Sequence, residues 1–228
     1  MSKTLKMVLG VGLVVVLLGG AGVWYFFLRS ENKETSVDAI SSANTPSNSG
    51  RTSADGKWKL KQDPDAFVGY HIQEIFTPSV VKVTAEGFTP AVEGTMTVAG
   101  TSISDVQVKA DMTKLKSDKA MRDSAIQKRG IETATFTEAT FKLTQPITLA
   151  AAPQKDQEID ATAKGDLTLH GVTKPVEVSI QAGWTGAQVK ATGSAPIVLA
   201  DFGMTQLTLG PATIEDRGEV EFDLRFAK

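Results

Sequence analysis

From Lys57 to the C-terminus the sequence alternates between apolar and polar residues with a period of two, and nothing else in the chain limits its fold so strongly. The segment VEVSIQAGW sets Val176, Val178, Ile180, Ala182 and Trp184 on one face and Glu177, Ser179, Gln181 and Gly183 on the other. EVEFDLRF places Val220, Phe222, Leu224 and Phe226 against Glu219, Glu221, Asp223 and Arg225. DVQVKADM does the same with Val106, Val108, Ala110 and Met112 against Gln107, Lys109 and Asp111. Successive side chains of a strand point to opposite faces, so these are strands with one buried and one wet side. A parallel sheet covered on both faces would read as continuous apolar runs, so the pairing is antiparallel. Further strands are expected near 58–62, 66–75, 79–86, 91–99, 136–149, 158–170 and 187–199. So many strands with so little helix make a sandwich or a barrel.

One segment has helical character, SDKAMRDSAIQKR at 117–129. Ser117 or Asp118 is placed to cap its start, and Gly130 to end it in the left-handed conformation. Met121, Ala125 and Ile126 form an apolar stripe too short for an independent helix. The helix is therefore expected to pack on the sheet, as a lid over one end of the barrel.

Ahead of the strands the chain has a different character. Residues 8–28, VLGVGLVVVLLGGAGVWYFFL, carry no charge, and as a helix they would extend about 31 Å, close to the hydrocarbon thickness of a bilayer. Trp24 and Tyr25 stand where an interfacial ring would sit. A transmembrane signal-anchor is expected here, with residues 1–7 and their Lys3 and Lys6 on the cytoplasmic side. The alternative is a secretory signal cut near the small residues GGAG at 19–22. Residues 29–56 are rich in Ser, Asn, Thr and Gly and read as a flexible tether. Either way the domain at 57–228 is expected to lie outside the cytoplasm, held at the cytoplasmic membrane or secreted.

Catalytic chemistry finds few candidates. The chain has no cysteine and two histidines, and it holds no Gly-x-Ser-x-Gly elbow, no phosphate loop and no metal-ligand cluster. Three of its 24 basic residues, Lys3, Lys6 and Arg29, lie in or beside the apolar run and all 26 acidic residues lie beyond it. The remainder from Ser30 thus has a net charge of −5, which does not fit a nucleic-acid binder. His71 shares a face with Phe67 and Gly69 and reads as a hydrogen-bonded barrel residue. His170 reads as a residue on the outer face or rim of a hairpin whose turn runs from Gly171 to Lys174, with Pro175 opening the next strand. Glu219 and Glu221 fall on an outward face, and Arg122 with Asp123 reads as a structural pair or, alternatively, as an anchor for a polar head group.

The segment GDLTLHGVTKPVEVSI at 165–180 resembles a characteristic stretch of the YceI-like family. The resemblance extends through GKWKL (56–60), FVGYHI (67–72), VEGTMTV (92–98), ADMTKLKSDKAMRD (110–123), TFTEATFKL (135–143) and DFGM (201–204). Thr137 and the TQLTLG that follows Met204 depart from the pattern, where proline is expected. The resemblance implies an all-β, lipocalin-like antiparallel barrel of about eight strands with one short packed helix. It further implies a binding protein, not an enzyme, that holds a polyisoprenoid, amide or quinone tail without a cofactor. In such a barrel Val108, Met112, Phe141, Val178, Ile180, Phe222 and Leu224 would point inward, with Phe67 and Met204 beside them and Met121 and Ile126 closing one end. The competing expectation is a structural or protein-interaction module of the envelope, its barrel filled by the same side chains.

Overall fold

The structure of the protein, a computed structural model, describes residues 53–205, 208–209 and 212–228. The apolar run at 8–28 and the tether as far as residue 52 lie outside the described residues. Among those described, no helix is long and apolar enough to cross a membrane. The elements are β1 (Gly56–Leu60), β2 (Phe67–Phe76), β3 (Val81–Thr89), β4 (Val92–Ala99), β5 (Ser102–Asp111), β6 (Lys116–Ser117), α1 (Ala120–Arg129), β7 (Glu138–Leu143), β8 (Ile147–Thr148), β9 (Glu158–Leu169), β10 (Val172–Trp184), β11 (Gln188–Val198), β12 (Thr208–Leu209) and β13 (Ala212–Ala227). Two short 3₁₀ turns, Met112–Lys114 and Leu199–Phe202, join them.

Eight strands form a closed antiparallel ring in the order β1-β4-β5-β7-β9-β10-β11-β13, and β13 returns to β1. The closing strand is short: Trp58 lies opposite Met96 of β4, and Lys59 lies opposite Ala227 of β13. The long β13 spends the rest of that edge on β2, from Asp223 opposite Phe67 to Ala212 opposite Phe76. β2 in turn carries β3 and β6. The domain includes residues ahead of the expected boundary at Lys57: Ala54 is buried and the Asp55 carboxylate accepts the Gly100 N–H at 2.7 Å.

The hairpin at the centre of GDLTLHGVTKPVEVSI is tighter than its proline indicates. Leu169 pairs directly with Val172, so the turn is His170–Gly171 alone, both with positive φ (52° and 72°), the handedness that matches the twist of flanking strands. β10 therefore starts at Val172, and Pro175 lies within it, opposite Asp166. Counted from the turn, that pair is a non-hydrogen-bonded one, so the missing N–H of Pro175 faces away from β9. On that side β10 pairs with β11 only from Ser179 onward.

Three inward aromatic rings lie over glycines on neighbouring strands. A Cβ on Gly165 would stand 2.3 Å from the Phe141 ring, one on Gly193 would stand 2.7 Å from the Phe222 ring, and one on Gly87 would stand 2.7 Å from the Tyr70 ring. The absent side chains let these rings lie along the barrel wall instead of across its interior. At Gly193 the added carbon would also meet the Ser179 carbonyl at 2.2 Å, and backbone cannot swing aside as a side chain can. Gly193→Ala is accordingly expected to destabilise the barrel by about 1–3 kcal/mol, read as a lower urea midpoint with an unchanged slope.

Candidate functional site

The inward faces of the ring enclose a cavity of about 250 Å³. A dry apolar cavity of about 150 Å³ already admits benzene, so this is space for a ligand and not a packing defect. Its wall is built of three apolar clusters stacked along the barrel. One lies under α1 and includes Met112, Ile126, Leu169 and Phe202; one at the far end surrounds Trp58 and Trp184; the third, around Ala163 and Val178, lies between them. β10 runs through all three, with Val172 in the first, Val178 in the middle and Trp184 in the last. The inward faces thus leave a space that a barrel filled by its own side chains would not have. Inward Ala110, Ala139, Ala161, Ala163, Ala191 and Ala195 are too small to meet across the centre.

Nine of the eleven residues expected to line the interior do so: Val108, Met112, Ile126, Phe141, Val178, Ile180, Met204, Phe222 and Leu224. Phe67 does not. Val68, Tyr70 and Ile72 form the inner face of β2, so Phe67, Gly69 and His71 face outward, and the Phe67 ring packs on the exposed Phe88 at 5.7 Å. Met121 does not either, being 85% exposed. On α1 the buried positions are Arg122 and Ile126, one helical turn apart, which turns Met121 to solvent.

The buried face of α1 thus begins with a charge. The Arg122 guanidinium donates from Nε to Glu74 Oε1 at 2.8 Å and from Nη2 to Glu74 Oε2 at 2.9 Å, with both side chains nearly inaccessible, and it also donates to Asp118. The hydrogen bonds that Arg122 gives to Glu74 hold its charge on, against a burial that opposes it. Sequence reasoning missed this pair, although β2 contained the signal: Glu74 continues the inward series Val68, Tyr70, Ile72, and a carboxylate on such a face needs a buried cation. Next to it, burial pushes the Tyr70 hydroxyl well above the usual phenol range, so it stays protonated.

The start of α1 is held differently from the expected cap. Lys119 occupies the N-cap position without a side-chain cap bond. Ser117 instead gives its N–H (2.7 Å) and its hydroxyl (2.8 Å) to Asp123 Oδ1, and Lys116 lies 3.4 Å from Oδ2. Burial raises the Asp123 pKa, but these bonds outweigh it and the carboxyl titrates below its ordinary range. At the other end Gly130 is not left-handed (φ −94°); its N–H bonds the Ala125 carbonyl at 3.1 Å.

Neither histidine faces the cavity as an acid or base. His71 Nε2 stands on the outer face between Glu86 (3.1 Å) and Glu221 (3.4 Å). His170 is not an exposed rim residue: its side chain is 15% accessible, its Nδ1 lies 3.1 Å from the Phe202 carbonyl and its ring packs against Phe136, tilted by 55° with centroids 4.2 Å apart. Since a carbonyl only accepts, Nδ1 carries the proton, and the turn is clasped to the Leu199–Phe202 segment. Among the described residues no group of three or more His, Cys, Asp or Glu is placed to hold a metal ion.

A closed eight-stranded barrel with a helix at one end and an apolar interior is the setting in which the motifs at 165–180 and 110–123 must be read. The YceI-like domain family matches residues 58–226, almost the whole described domain. The chain belongs to this family. Among curated relatives it is 38% identical over 106 residues to a UPF0312 protein of Vibrio parahaemolyticus, covering 43% of this chain and 52% of that one. It is 32% identical over 126 residues to a UPF0312 protein of Shewanella baltica, covering 52% of this chain and 60% of that one. The chain therefore spans little more than half the length of the curated relatives it matches. Among solved structures, a polyisoprenoid-binding domain from Saccharophagus degradans superposes with a TM-score of 0.56 at 16% identity, over 75% of this chain and 97% of that one. BcnA of Burkholderia cenocepacia gives 0.56 at 16% identity, over 73% and 98%. At that identity these two likenesses show a shared fold.

Two outcomes follow from the α1 end. Arg122→Met alone strands the Glu74 carboxylate and is expected to cost about 3–5 kcal/mol, whereas the double change with Glu74→Met costs much less than the two single changes together. Urea denaturation of the four proteins measures the coupling. For Asp123 the folded pKa is depressed, so its contribution is complete above the ordinary carboxylate value of about 4 and is lost as pH falls below it. The drop in unfolding midpoint between pH 6 and pH 2 should be smaller in Asp123→Asn than in the parent.

Proposed function

We propose that this YceI-like chain is an extracytoplasmic carrier, tethered to the cytoplasmic membrane, that holds the tail of a polyisoprenoid, isoprenoid quinone or similar long-chain lipid inside its barrel. The observation that carries the reading is the cavity itself: a space of about 250 Å³, running between two end clusters, walled by aliphatic and aromatic side chains. An uncharged chain needs shape and apolar area, and each methylene taken from water contributes about 0.8 kcal/mol, so affinity grows with length. The polyisoprenoid-binding role of the Saccharophagus degradans domain supports the ligand class. The apolar run at 8–28 supports the tether, which would keep the barrel beside the bilayer that stores such lipids. The described wall is overwhelmingly aliphatic and aromatic, which supports binding as the role.

The test is native mass spectrometry of the chain purified without detergent, followed by organic extraction. A discrete bound mass that extracts as an isoprenoid series is the expected result. A protein that stays ligand-free after incubation with polyprenols and quinones would leave the interaction-module reading in its place. Narrowing the middle of the cavity with Ala161→Phe is expected to reduce retained ligand at least tenfold, while Phe67→Ala and Met121→Ala, which change the outer surface, leave it unchanged.

A further inference from the structure

The ring of eight strands is complete at the level of β7, but toward the Trp184 end its wall has a seam between β8 and β9. Thr144 gives its N–H and its hydroxyl to the Lys164 carbonyl, each at 3.0 Å, and there the ladder on that side of β9 stops. The register that sets Leu143 opposite Gly165 would next bring Pro146 against Thr162, and a proline has no N–H to give. The segment 145–157 then leaves β9 for β5: Ile147 pairs with Ile103, Thr148 pairs with Ser102, and the Leu149 N–H bonds the Thr101 carbonyl at 2.8 Å. β9 itself stays paired with β10 as far as Glu158. Counted from the His170–Gly171 turn, Glu158, Asp160 and Thr162 are non-hydrogen-bonded positions toward β10, so their N–H and C=O groups point into the seam.

Cavity and surroundings meet at this seam. Ile147, Leu149, Ile159, Ala161 and Ile180 belong both to the cavity wall and to the wall of a groove on the outer surface. Along β9 the inward side chains of Ala163, Leu167 and Leu169 are buried, whereas Ile159 and Ala161 beside the seam are only half-buried. The groove runs over Thr162, Ser179, Gln181 and Ser194, so hydroxyl and amide groups stand just outside a passage whose inner side is aliphatic. We propose that the seam between β8 and β9 is the passage by which an amphiphile enters the barrel, tail first and sideways, and that its polar end stays in the groove outside. This deepens the carrier reading above and rests on it. A tail that passes here parts the side-chain packing of Ile147 and Leu149 and breaks no ladder, since no backbone hydrogen bond joins residues 145–152 to β9. Entry under α1 would instead have to break the buried Arg122–Glu74 pair and the Asp123 clasp, and a buried charge parted from its partner is costly.

The chain has no cysteine, so thiols can be placed one pair at a time. Thr148→Cys with Asp160→Cys stands across the seam, where both native side chains are exposed. Lys116→Cys with Asp123→Cys, whose native side chains approach to 3.4 Å, ties α1 to β6. Each pair is bridged in the full-length protein in nanodiscs by a bis-maleimide that contains a reducible disulfide, and complete bridging is confirmed by mass. The probe is a tritiated prenol of six isoprene units delivered from cyclodextrin, with empty nanodiscs subtracted. Bridging the seam before loading is expected to slow uptake about tenfold or more, bridging it after loading to slow release as much, and cutting the linker to restore both rates. The α1 bridge should leave both rates within about twofold. The same prenol with a bulky dye on its oxygen should still load, because its head remains outside. Slowing by the α1 bridge as great as by the seam bridge, or slowing by neither, overturns the seam as the passage while leaving the carrier intact. Exclusion of the dye-bearing prenol overturns the placement of the polar end. A parent protein that takes up no prenol overturns the carrier reading and the passage together.

Discussion

Closure of the ring by β1 is the constraint on which the rest of the structure depends. Without its pairing to both β4 and β13, two strands would present open edges and the inner face would be one side of a sheet. With it, the inward side chains of all eight strands face one common axis. An eight-stranded barrel is just wide enough to be filled, so the size of the inward residues decides what it holds. Here alanines and glycines alternate with Phe141, Phe222 and valines, and the rings lie flat over Gly165 and Gly193. The sum is a lined space where a uniformly large set would have made a core.

The two ends of that space are finished by different chemistry. At one end α1 is fixed by a buried ion pair and an Asp123 clasp, and only Ile126 on its inward face is apolar. A charged pair buried in an apolar site contributes little net stability, but it tolerates no other partner, so it sets where the helix sits. At the other end Trp58 and Trp184 share one apolar cluster; the Trp58 N–H is bonded to the Ala54 carbonyl, and that of Trp184 has no acceptor among the described residues.

Much of this was legible before any fold was known, and the exceptions have specific causes. Strands at 176–184 and 219–226 were evident because each buries one face throughout. β2 misled because both of its faces carry aromatic residues near the start, Phe67 on one and Tyr70 on the other, and Phe67 finds its cover in Phe88, on a neighbouring strand. α1 misled because its buried stripe starts at Arg122 and not at the more apolar Met121. The hairpin turn misled because proline is a weaker marker than a direct Leu169–Val172 pair, which requires His170 to take a positive φ that its clasp to Phe202 supports.

The sequence by itself determined that the domain is antiparallel, that each long strand has an apolar side, and which family's motifs it carries. Alternation is a local property, written in neighbours two residues apart, and so it survives without knowledge of the fold. The tertiary structure alone decided that the apolar sides enclose a cavity, that Glu74 meets Arg122 across 48 positions, and that His170 is clasped to the Phe202 carbonyl. Those outcomes depend on strand order, register and ring closure, which bring together residues whose chemistry gives no sign of one another along the chain.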